Sequence, residues 1–95
     1  MRERIVCRLA PDQTELVATM VGRIIVMGLE GMDLQGVVCF RLSDATRAAI
    51  VQYLELTTGA RLNAAKLIRV DNVPIHIDNM CAFGDVFAEE PEWTP

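Results

Sequence analysis

The side chains able to act as nucleophile, base or metal ligand are few: one histidine, His76, and three cysteines, Cys7, Cys39 and Cys81. His76, Asp78 and Cys81 lie close together in the chain. In an extended segment His76 and Asp78 share a face, and a thiol beside a carboxylate-oriented histidine is the arrangement that activates a cysteine nucleophile. No glycine-rich oxyanion turn and no second acid–base group accompanies the trio, so a thiol enzyme or metal protein around His76 and Cys81 stands as an alternative to a chain without catalysis. Three cysteines and a histidine are a valid zinc set. Here, however, each ligand is isolated, with no paired Cys-x₂-Cys spacing, so no metal is expected and each cysteine reads as a small buried hydrophobe.

A second candidate is a pair of arginines, Arg4 and Arg8, in the alternating segment RERIVCRL. A regular strand places both on one face, where two guanidinium forks suit phosphate or a partner's carboxylates. No P-loop or dinucleotide fingerprint is present, and no cofactor is expected. Charge is uneven. The chain carries −4 overall. Residues 78–95 hold five acids and no Lys or Arg, leaving eight acids against nine bases, so residues 1–77 sum to +1. A nucleic-acid partner needs a basic face, and none is expected. The acidic tail holds the sole tryptophan, Trp93, between Pro91 and Pro95, and tryptophan is a frequent interface anchor.

The elements that position these residues follow from patterning. Residues 2–9 read as a half-buried strand with Ile5, Cys7 and Leu9 on one face and Arg2, Arg4 and Arg8 on the other, ended by Pro11. Asp12 with Glu15 three residues on forms a capping box. Residues 37–42, nearly all apolar, suit a central strand buried on both faces. Ser43 is an N-cap and Gly59 a C-cap for a second helix between them. That helix carries one apolar stripe of Ile50, Val51 and Leu54 and a second of Ala45, Ala49, Tyr53 and Leu56, which predicts cover by its own sheet and by a partner chain. KLIRV and VPIHI, joined by Asp71 and Asn72, read as a tight hairpin, with Pro74 pointing to an edge strand. MCAFGDVF adds a short strand or a turn of helix.

Residues 15–28, ELVATMVGRIIVMG, admit two readings. Leu16, Val17, Met20, Val21, Ile24 and Ile25 fall on one half of a helix, with Thr19, Gly22 and Arg23 on the other. Alternatively, GRIIVMG is β-branched and bounded by glycine, as a strand is. On the strand reading, residues 21–56 resemble the C-terminal part of a PilZ domain through VGRIIVM, QGVVCFRLSD and ATRAAIVQYL, and Arg4 to Arg8 has the form of the family's R-x-x-x-R. The resemblance implies a degenerate ligand-sensing domain that uses Arg4 and Arg8 for phosphate. It lacks the family's second motif, [D/N]-x-S-x-x-G.

With 95 residues, 52% of them apolar, and a mean hydropathy of +0.27, the chain has room for one modest core and apolar surface to spare. The expectation is an α/β sandwich of order β-α-β-α-β-β. Two helices cover a four- to five-stranded mixed sheet with a C-terminal hairpin, in one domain over residues 1–88 with an acidic tail at 89–95. No segment reaches the roughly 18 apolar residues of a membrane span, and the N-terminal residues do not read as a secretory signal. An odd, dispersed set of cysteines fits a reducing cytoplasm. The function expected is a small, non-enzymatic protein-interaction or regulatory module. It is expected to be a homo-oligomer, a dimer being favoured, with a protein partner, and with Tyr53, Leu56 and Trp93 as candidate interface residues.

Overall fold

A computed structural model of the chain describes residues 2–8, 18–63 and 66–90. Strand β1 (Arg2–Cys7) is followed by helix α1 (Ala18–Glu30), strand β2 (Cys39–Leu42), helix α2 (Asp44–Thr58) and three strands, β3 (Arg69–Val70), β4 (Val73–Ile77) and β5 (Val86–Glu90). The sheet order is β1-β5-β2-β4-β3. Only β2 and β4 run parallel; the other neighbours are antiparallel. The architecture is the mixed two-helix, five-stranded sandwich that the patterning predicts. The element after the hairpin is a strand, and it reaches Glu90. The capping box at residues 12–15 and Trp93 lie outside the described residues.

The ambiguous segment is helical. Val21, Ile25 and Leu29, four residues apart, are buried against one core with Phe40, Leu42, Ile50, Val86 and Ala88. The buried face differs from the expected one. Gly22 is buried, whereas Met20 and Ile24 are exposed. The reason is a close crossing of α1 over α2. A Cβ built on Gly22 would collide with the Ala49 carbonyl oxygen and stand 2.5 Å from Tyr53 Cβ. Helix backbones approach that closely only where a side chain is missing, so the helix turns its glycine toward α2 and its Met20 and Ile24 outward. The second apolar side of α2, at Ala49 and Tyr53, is thus covered by α1 of the same chain.

Helix α2 begins and ends where its caps say. The Ser43 hydroxyl accepts from the Thr46 backbone N–H at 3.2 Å, and Gly59, at φ +73°, donates its N–H to the Glu55 carbonyl at 2.8 Å. These satisfy groups that helix termini otherwise leave unpaired. The hairpin turn has Asp71 at φ 48° and Asn72 at φ 69°, the two positive values that a type I′ turn requires.

Two expectations fail locally. Strand β4 is internal, flanked by β2 and β3. Pro74 is tolerated because pairing with β2 begins only at Ile75, opposite Phe40. On the other side the ladder uses the Ile75 N–H, which donates to the Ile68 carbonyl at 2.8 Å, so no bond is asked of Pro74. Strand β2 is buried on one face only: Phe40 and Leu42 face the helices, and Cys39 and Arg41 face the other way. An uninterrupted apolar run reads as doubly buried, but the helices cover one side of this sheet.

Candidate functional site

The uncovered sheet face is organised by Arg41. Cross-strand partners share a face, so Arg41 on β2 stands beside Phe87 on β5, and Cys39 beside Glu89; Ile5 and Glu3 on β1 continue the row. The Arg41 guanidinium meets three carboxylates: Asp78 at 2.8 Å, Glu89 at 3.3 Å and Glu3. It also lies over the Phe87 ring at 4.9 Å from the centroid. Its side chain is 22% exposed. Asp78 also accepts the Met80 backbone N–H at 2.9 Å. That bond, followed by the one from Arg41, holds its carboxyl below the ordinary range. The sequence reading passed over Arg41. The signal was there: a lone charge inside the apolar run GVVCFRL demands partners wherever it is partly buried.

This cluster locks the sheet face. All the forks of the guanidinium are taken, so it offers no free donor pair to a phosphate. The thiols around it are held neutral. Burial, then the hydrogen bond and charge of Glu89, push Cys39 up to about 11, and its Sγ lies 3.1 Å from Glu89 Oε2. Burial likewise raises Cys7, ahead of the Asp85 charge, and raises Cys81, outweighing the opposing pull of Arg41. A reactive cysteine has the opposite shift.

The structure distributes the residues picked out by type. Cys81 is buried, with Arg41 Nη1 at 3.5 Å from its Sγ. His76 is exposed on β4, and among the described residues no hydrogen bond joins it to Cys81. No group of three or more His, Cys, Asp or Glu able to hold a metal occurs among the described residues. Arg4 and Arg8 are not brought together. The β1–β5 register shifts between Ile5 and Cys7, and a bulged residue exchanges the faces of the strand. Arg4, opposite buried Ala88, donates to the Asp33 carbonyl at 2.7 Å and pairs with Glu90 at 3.1 Å. Arg8 pairs with Asp85 at 3.5 Å and lies over Phe87 at 5.7 Å on the other face. Of the interface candidates, Tyr53 is half-buried at the Gly22 crossing and Leu56 is 62% exposed.

A feature without a use among the described residues is the outer face of α1. Met20, Ile24 and Met27 are 50%, 37% and 58% exposed, and their spacing of four and three residues aligns them in one stripe. No described helix is long and apolar enough to cross a membrane. Comparison with known proteins returns no matching family model, no matching curated protein and no matching solved structure. The PilZ resemblance of residues 21–56 rests on a strand at VGRIIVM, where the structure has helix α1.

Proposed function

We propose that the chain is a small, non-enzymatic protein-interaction module that self-associates through the outer face of α1, with a two-fold dimer as its basic assembly. The observation that carries the proposal is the exposed Met20–Ile24–Met27 stripe. Large apolar side chains aligned on one helix face stand for an interface far more often than scattered ones do. The stripe is close to self-complementary. With two copies antiparallel about Ile24, Met20 of each meets Met27 of the other, the isologous contact that a two-fold axis requires. Methionine's flexible thioether suits such a seam because it repacks readily.

Three partly exposed side chains per subunit make a small seam, below roughly 1,200 Å² in total, where association is weak and reversible. Three free cysteines, two of them buried, fit a reducing compartment, and the cytoplasm is the location proposed. Sedimentation equilibrium on the natural chain and on Ile24→Lys tests the reading. The natural chain dimerises with rising concentration. The variant associates only at markedly higher concentration, with an unchanged circular dichroism spectrum, because Ile24 lies outside the core. A natural chain that remains monomeric throughout contradicts the proposal.

A further inference from the structure

On the β3 side of the molecule, between α2 and the segment leading into β3, lies a cleft of about 270 Å³ lined by Val51, Leu62 and Leu67 and rimmed by Arg61 and Lys66. A cleft of this volume accommodates a single large side chain. Leu62 is held at its mouth, its N–H donating to Glu55 Oε1 at 2.8 Å. Arg61 and Lys66 are both exposed, and among the described residues neither meets a carboxylate. Arg4, Arg8 and Arg41, by contrast, are each paired with one. An apolar floor under two uncommitted cations fits a bulky apolar side chain next to an acid.

The acidic C-terminal segment offers such a sequence with the largest apolar side chain in the protein. Beyond β5, residues 91–95 read PEWTP, with the sole tryptophan directly after Glu92 and no basic residue. We infer that this cleft docks residues 91–95 of a second copy of the chain. The Trp93 indole lies on Val51, Leu62 and Leu67, and the Glu92 carboxylate sits at Arg61 and Lys66. The tail comes from another copy because of reach. Strand β5 is separated from β3 by β2 and β4, three spacings or about 14 Å across the sheet, with the helix layer's offset still to add. The three residues from Glu90 to Trp93 extend at most about 11 Å.

This inference deepens the self-association proposed above by naming a second contact, and the two fail separately. Because Trp93 is the only tryptophan, its fluorescence in the full chain reports the docking directly. Its emission moves to shorter wavelength as concentration rises from sub-micromolar to hundreds of micromolar. Arg61→Glu with Lys66→Glu moves the midpoint about tenfold higher, the effect of losing two partly screened charge contacts. Both residues are exposed, and an unchanged melting temperature confirms that the double variant folds. An emission independent of concentration overturns the inference, whether it is solvent-like or already shifted as for a tail seated on its own chain. So does a concentration-dependent shift that the double variant leaves untouched. Failure of the α1 seam shows differently, as a dimer mass that does not respond to Ile24→Lys.

Discussion

Replacing Gly22 by alanine is a stringent test of the helix crossing, because two effects of known size oppose each other there. In an isolated helix the change is favourable, by about 0.8–1.0 kcal/mol of intrinsic propensity. In this fold the new methyl group would stand 2.5 Å from Tyr53 Cβ and 3.1 Å from the Ala49 carbonyl carbon, and closer still to that carbonyl's oxygen. Carbon atoms in contact prefer roughly 3.5–4.0 Å, so α1 and α2 must separate by about 1 Å or more. The obstacle is backbone and a Cβ atom, neither of which can swing aside. Overpacking of this kind costs typically 1–3 kcal/mol, occasionally more, and the separation also loosens Val21 and Ile25 against Ile50. Because the clash is with backbone and a Cβ atom, the cost lies in the upper half of that range, and after the propensity gain Gly22→Ala is expected to destabilise by about 1–2 kcal/mol net. For a domain of this size that lowers the melting temperature by roughly 4–15 °C. The assay is thermal unfolding by circular dichroism at one fixed protein concentration, since association shifts the apparent value. A melting temperature equal to or above that of the natural chain would refute the close crossing, and with it the reason given for the outward rotation of Met20 and Ile24.

Thr46 is fully buried, and its hydroxyl oxygen accepts the Gly84 N–H at 3.0 Å while sharing a hydrogen bond with Ser43. Thr46→Val keeps the shape but strands that donor, and is expected to cost about 1–3 kcal/mol by urea unfolding. Asp78 has a folded pKa below its ordinary value of 3.8, so the stability it lends is present above that value and is lost as pH falls through the lower folded value. Acid unfolding monitored by circular dichroism should show this loss below pH 3.8, and Asp78→Asn should flatten the slope there. Cys39 behaves in the opposite sense. With its pKa raised from 9.0 to about 11, its contribution is complete below pH 9.0 and disappears as pH rises through the folded value. Alkylation of Cys39, followed by mass spectrometry, is therefore slow at neutral pH and accelerates only toward that upper value.

Where local chemistry dictates conformation, the chain is readable from its residues. Ser43 and Gly59 delimit α2, and Asp71 with Asn72 makes the hairpin turn, because caps and I′ turns depend on a few adjacent atoms. What escaped reading depends on partners far apart in sequence. Strand β5 sits between β1 and β2 with Val86 and Ala88 fully buried, yet VFAEE resembles the start of an acidic tail. Its two glutamates find their counter-charges on Arg41 and Arg4, tens of residues away. The β1 bulge that parts Arg4 from Arg8 is marked by no glycine or proline in RERIVCR. Gly22 misleads for a related reason. A hydrophobic pattern treats glycine as a polar-side residue, whereas here its lack of a side chain decides which face of α1 is buried. The exposed stripe, the candidate site with the greatest functional content, became visible only once that rotation was known.

The self-association of the natural chain, measured by sedimentation equilibrium beside Ile24→Lys, tests the account most directly. The account predicts a mass that rises from 10.5 kDa toward twice that value for the natural chain, and a variant whose mass rises only at markedly higher concentration, with its fold intact. A natural chain of 10.5 kDa at every concentration, or a variant that dimerises as well as the natural chain, would contradict it.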